Sequence, residues 1–221
     1  MLLSLPLAMM AESRFDLSPW YVAKALAVLC VGAALILQGL PEHHPFPSLG
    51  SANLATATRG ALVALLAALV GEQVSIPVQY VALAVAVSAA ALDAADGWLA
   101  RKSNIASRFG ARFDMETDAL LILTLAVLTW QFGKAGIWVL LSGALRYAFV
   151  LAGFALPWLR APLPPSFRRK AIAVLQTVSL LFAVAPFVLP AESELVAGVA
   201  LLTLALSFLT DVIWLKRAAS R

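Results

Sequence analysis

A single cysteine, Cys30, stands among 221 residues, so no intramolecular disulfide can staple this chain. It lies inside an apolar run and reads as a small packed or lipid-facing residue. Histidine is nearly as scarce. The two present are adjacent, His43-His44, in a proline-containing stretch with no further ligands close in sequence, which favours a solvated loop over a metal site. Charge is the third shortage: 13% of residues are charged and 62% hydrophobic, against about 25% charged in soluble domains. With a mean hydropathy of +0.91, an ordinary soluble domain is excluded. No alternating strand pattern, internal repeat or low-complexity linker is present. The opening MLLSLPLAMM lacks the positive region of a secretory signal, so no cleavage is expected.

What the chain does have is long apolar runs. Six are clear, at about 53–70, 76–101, 107–132, 135–156, 170–189 and 194–214. A seventh runs from Trp20 to about Leu40, with Lys24 placed to snorkel; its thirteen-residue uninterrupted centre is short for a span, and it is read as one. Lipid cannot satisfy a bare backbone, so such runs form helices. The expected fold is all-α: a polytopic transmembrane bundle of six core helices with an extra N-terminal apolar helix. Residues 1–52 form an interfacial or apolar extension ending in a loop over 41–51, and residues 53–218 form the membrane domain. Small residues at 61–68 and 88–91 permit close helix packing.

The formal charge of +4 does not call for nucleic acid, because the bases lie at the ends of apolar segments. If the six segments alternate in direction, twelve of the sixteen bases, from Arg59 through Arg101 and Arg168 to Arg221, fall on one side. The opposite turns hold Glu72, Glu192, Glu194 and one base, Lys134. Positive-inside bias makes the basic side cytoplasmic.

On that side lie four aspartates, Asp93, Asp96, Asp114 and Asp118, at the ends of two apolar segments. Ionisable groups in such places are expensive and mark function by default. Asp93 and Asp96 are three residues apart and Asp114 and Asp118 four, so each pair shares a helix face. The eight residues 102–109 are enough for a turn that lets the two faces meet. Four converging carboxylates repel unless cations lie between them, and hard divalent ions with oxygen ligands are the natural partners. Glu116, two residues from both Asp114 and Asp118, points elsewhere on a regular helix.

The stretch also matches a signature. D-x2-D-G-x2-A-R-x8-G-x3-D-x3-D is met at all its fixed positions by Asp93, Asp96, Gly97, Ala100, Arg101, Gly110, Asp114 and Asp118. The chain therefore resembles the CDP-alcohol phosphotransferases, integral membrane enzymes. The resemblance implies two Mg2+ or Mn2+ ions held by the four aspartates, with Asp118 also acting as general base on the acceptor hydroxyl. Asn53, Thr56 and Arg59 are similar to the family's P-N-x2-T-x2-R opening, with Ala52 in place of the proline. This implies nucleotide contacts there and at Asp93, Gly97, Ala100, Arg101 and Gly110. Gly97, Ala100 and Gly110 leave room for a nucleotide against the backbone; Arg101 is placed to meet a diphosphate.

The implied reaction moves a substituted phosphoryl group from a CDP-alcohol, CDP-diacylglycerol first, to a polar alcohol, releasing CMP in phospholipid synthesis. Arg146, Arg168, Arg169 and Lys170 are candidate acceptor contacts, which favours a phosphorylated acceptor: glycerol 3-phosphate, then inositol phosphate. Taken on its own the Arg168–Lys170 triplet reads first as a topological anchor, and Asp211, five residues before Lys216, reads as a helix-end charge pair with it. Expected partners are these substrates, membrane lipids and a second copy of the chain, with no nucleic acid. Two rivals fit less well. Intramembrane prenyltransferases separate their two acidic motifs widely, whereas these four acids fit within 26 residues. Divalent-cation transporters place carboxylates at midplane helix breaks, not at segment ends beside bases.

Overall fold

The structure is a computed structural model. It describes residues 4–43, 50–103 and 108–219, and their side chains except at residues 4, 33, 35–43, 50–55, 94–103 and 108–113. Every regular element among the described residues is a helix, with no strand. The helices are α1 (Ser4–Phe15), α2 (Trp20–His43), α3 (Gly50–Ala67), α4 (Ile76–Ser103), α5 (Arg108–Gln131), α6 (Leu141–Ala155), α7 (Phe167–Val184) and α8 (Pro190–Ala219). Short 3-10 turns, Ile137–Leu140 and Pro157–Arg160, precede and follow α6. The six expected core segments correspond to α3–α8 and the seventh, N-terminal one to α2. The loop expected over 41–51 is shorter on both sides: α2 runs through Pro41 to His43 and α3 already contains Gly50 and Ser51, while 44–49 lie outside the described residues.

The helix ends follow local chemistry. Ser75 Oγ accepts from Val78 N at 3.4 Å at the start of α4, with Pro77 inside the first turn. Pro190 opens α8, and Glu192 folds back to accept from Leu189 N at 3.4 Å. Beyond α5, Gly133 takes φ +67°, Gly133 N donates to Trp130 O at 2.9 Å and Lys134 N to Thr129 O at 3.0 Å. That double bond needs a left-handed residue, which glycine supplies without strain.

The chain forms two compact units, Met1–Thr124 and Leu125–Arg221, divided within α5. In the first, α3 packs against α4, and small residues on both are buried: Ala61 and Ala64 on α3, Ala82, Ala86 and Ala89 on α4. Of the small residues at 88–91, only Ala89 is buried; Ser88 turns its hydroxyl back to Ala84 O at 2.8 Å. The N-terminal helices are tied on by a polar latch. Glu72 accepts from Ser18 N and Ser18 Oγ, both at 2.7 Å, and from Lys24, which also donates to Val70 O at 2.9 Å.

In the second unit α7 packs on α8 with its polarity reversed from that of a soluble protein. Leu195, Val199, Leu202, Leu206, Leu209 and Ile213 form an exposed stripe along α8, whereas Ala197, Ala200, Ser207 and Asp211 are buried. On α7, Val174, Val178 and Phe182 face outward and Gln176 and Ser179 inward. Large apolar side chains turned outward over a whole helix suit lipid. Among the described residues, Ile76–Asp93, Ile137–Ala155 and Pro190–Ala219 are long and apolar enough to cross a membrane. Helices α5 and α7 begin with charged turns, Asp114 to Asp118 and Arg168 to Lys170, which shortens their apolar length.

Candidate active site

Three helices of the first unit bring one cation and three acids together. Arg59 lies on α3, Asp93 toward the end of α4, and Asp114 and Asp118 one turn apart near the start of α5. The 3.6-residue period sets Asp114 and Asp118 on one face. Arg59 Nη1 donates to Asp93 Oδ1 and, at 2.7 Å, to Asp114 Oδ1; Nη2 donates to Asp118 Oδ1 at 2.5 Å and to Asp114 O at 3.3 Å. The arginine is wholly buried, while each carboxylate keeps a little under half of its side chain exposed. The guanidinium is therefore the floor of the site and the carboxylates its rim. Thr56, one turn earlier on α3, is buried as well.

The three carboxylates each offer an oxygen within 4.8 Å of the others. Hard oxygen donors this close, carrying three negative charges against one guanidinium, suit a divalent cation such as Mg2+ or Mn2+. Glu116 is exposed and outside this group, as its helix position predicts.

A family model for CDP-alcohol phosphatidyltransferase matches residues 49–213. The chain belongs to this family. The match begins at α3 and takes in almost all of α3–α8, leaving out α1 and α2 with the Ser18–Lys24 side of the latch. No curated protein and no solved structure matches the chain. With its long apolar helices, this CDP-alcohol phosphatidyltransferase is an integral membrane protein.

The remaining signature positions lie on the same helices. Asp96, Gly97, Ala100 and Arg101 follow Asp93 on α4, Gly110 precedes Asp114 on α5, and Asn53 precedes Thr56 on α3. Their side chains lie outside the described residues. The candidate acceptor residues all belong to the second unit. Arg146 is half-buried on α6 and Lys170 exposed on α7. Arg168 donates to Ser207 O (2.9 Å), Ser207 Oγ (2.6 Å) and Asp211 Oδ1 (2.5 Å). Arg169 reaches the same Asp211 oxygen at 3.3 Å and also Pro164 O. Asp211 is thus a charge-pair residue, but its partners come from α7 and not from the nearby Lys216. These arginines line a cavity of about 240 Å3 together with Ser166, Thr210 and Trp214.

Sequence reasoning did not foresee the burial of two polar side chains. Lys134, buried beyond α5, donates to Pro186 O at 3.2 Å and Val188 O at 2.5 Å, bracing the α7–α8 turn. Gln176 is fully buried on α7 with neither amide atom hydrogen-bonded. Nothing in local spacing announces the lysine; a glutamine on the inward face of an apolar helix was the available signal for the other.

Proposed function

We propose that this CDP-alcohol phosphatidyltransferase transfers a phosphatidyl group from CDP-diacylglycerol to a phosphorylated polar alcohol, releasing CMP as a step of phospholipid synthesis. The observation that carries the reading is the convergence of Asp93, Asp114 and Asp118 from two helices onto one point. In this proposal the catalytic domain is residues 53–218, and Asp96 completes the acidic set of four. When bound there, two Mg2+ or Mn2+ ions supply charge neutralisation for the diphosphate and for the departing CMP.

The chain's own residues do the rest. Asn53 and Thr56 on α3 and Arg101 on α4 hold the nucleotide and its diphosphate, while Gly97, Ala100 and Gly110 keep room for it; Arg59, expected to join them, is wholly buried against the acids and positions those instead. Asp118 accepts the proton of the acceptor hydroxyl. The acceptor oxygen bonds to the lipid-linked phosphorus, the diphosphate bridge breaks, and CMP leaves with the bridging oxygen. Phosphoryl transfer requires mainly positioning and charge stabilisation, which suits a site with so few reactive groups. Positive-inside bias puts this site at the cytoplasmic face, where acyl chains stay in lipid and CMP departs into water.

Arg146, Arg168, Arg169 and Lys170 are proposed to meet the acceptor's phosphate, with glycerol 3-phosphate first and inositol phosphate second. Support comes from charge: Arg168 and Arg169 share one carboxylate, Asp211, leaving a positive excess. The test is a panel of alcohols presented with CDP-diacylglycerol to detergent-purified protein, scored by CMP and lipid product. Glycerol 3-phosphate is expected to react best; turnover with unphosphorylated alcohols alone overturns the acceptor assignment. Crosslinking in the membrane tests the further expectation of a homodimer.

A further inference from the structure

Arg59 holds the same carboxylates that the proposed function gives to a divalent ion. Its two terminal nitrogens donate to one oxygen on each of Asp93, Asp114 and Asp118. These are full charge pairs made by a side chain with no exposure to solvent. A buried guanidinium with this many anionic partners is strongly held. It is held there even though its remaining nitrogen, Nε, is buried with no acceptor. The carboxylates therefore fix its seat, at the expense of one unmet donor.

We infer that Arg59 is an internal counter-cation that shares Asp93, Asp114 and Asp118 with the divalent ion and holds that ion's affinity down. The inference rests on the metal-site reading above. Its physical basis is twofold. Each lone pair engaged by a guanidinium N–H is withdrawn from a metal. In addition, one positive charge within a few ångströms of a divalent ion repels it with twice the energy of a unit pair, an effect that low local dielectric magnifies. Without Arg59 the three acids would repel one another, so the same residue stabilises the site before metal enters. The result is a site that stays folded when unloaded and releases its metal readily. A binding-competent arrangement populated only in part weakens apparent affinity by that fraction.

The test is Mn2+ binding to the full-length protein in detergent at pH 8, read by electron paramagnetic resonance, with thermal unfolding followed in parallel. Arg59→Gln is expected to bind Mn2+ about tenfold more tightly than wild type. It should also melt at lower temperature without metal and gain more from metal than wild type does. Arg59→Lys keeps the charge but lacks the fork that spans three carboxylates, and should fall between the two; this variant serves if Arg59→Gln does not fold. Asp114→Asn, measured alongside, should weaken binding. Equal or weaker Mn2+ binding in Arg59→Gln and Arg59→Lys, with Asp114→Asn still weakened, overturns the inference and leaves the metal site standing, with Arg59 as a support for the acids. Absence of saturable Mn2+ binding in wild type and Arg59→Gln alike overturns both.

Discussion

Arg59 sits among Asp93, Asp114 and Asp118, whereas Asp211 sits between Arg168 and Arg169. The first cluster has one cation for three acids and a formal excess of two negative charges; the second has two cations for one acid and an excess of one positive charge. In both, the minority charge is the more buried partner: Arg59 is inaccessible and Asp211 only 10% exposed, while the majority charges remain partly open to the surroundings. The buried member organises its neighbours and the open ones retain unused capacity. A ligand arriving at the first cluster must be a cation or carry one; a ligand arriving at the second must be an anion. Under the proposed function, the first pattern would serve a metal-assisted diphosphate and the second a phosphorylated alcohol.

The largest effect should come from attacking the majority charge of the first cluster. Asp114→Asn is expected to lower transfer about a thousandfold, the scale of removing a charge-stabilising group from an active site. Its melting temperature should change little, because one source of repulsion is lost along with one ion pair. Chelation by EDTA should abolish activity of the wild type, and Mg2+ or Mn2+ should restore it. Activity within tenfold of wild type in Asp114→Asn would remove the distinction drawn between the clusters.

A smaller effect is expected at the second cluster. Arg168→Ala should raise the acceptor KM about tenfold and leave the donor KM unchanged. Asp211→Asn sharpens the test, since it removes the organiser and leaves both cations. It should lower stability by about 1–2 kcal/mol without raising the acceptor KM. If Asp211→Asn raises that KM as much as Arg168→Ala does, the arginines serve packing and not recognition.

Much of the first cluster was legible because its information is local. Asp93, Asp114 and Asp118 are tied to helix period and to a fixed signature, so their convergence follows from two helices and a turn. The place of Arg59 was not legible. Its bonds join residues 34, 55 and 59 positions apart, and a sequence spacing on α3 alone reads as a snorkelling base or a nucleotide contact. The partner of Asp211 was misplaced for the same reason: Lys216 is nearer in sequence, but α7 and α8 pack antiparallel and bring Arg168 closer in space. The six core helices were visible as apolar runs, yet the runs gave no account of the latch at Glu72, whose partners are Ser18, in a stretch that looked merely interfacial, and Lys24, read as a snorkelling base.

The smallest effect belongs to that latch, which belongs to neither cluster. Burial opposes ionisation of Glu72, but hydrogen bonds from Lys24 and Ser18 prevail and hold its carboxyl below the ordinary range. A depressed folded pKa stabilises fully above the unfolded value near 4.5 and loses its contribution as pH falls through the lower, folded one. Glu72→Gln should therefore cost about 1–2 kcal/mol at neutral pH and progressively less below pH 4.5, with turnover unchanged. A stability difference independent of pH down to the acid limit would show that shape, not charge, holds the N-terminal helices.

Lys134 carries a consequence for the surrounding lipid. Its ammonium is bound by the carbonyls of Pro186 and Val188 and is buried. The lysine that follows α5 is thus capped by the α7–α8 turn, which withholds its charge from the surface at that end of the unit. At the other end of the same helices Arg160, Lys170, Lys216 and Arg217 are exposed. Anionic headgroups would thus collect around one end of this unit only, giving it an asymmetric annulus in which acidic lipids gather at the leaflet facing the arginine pair.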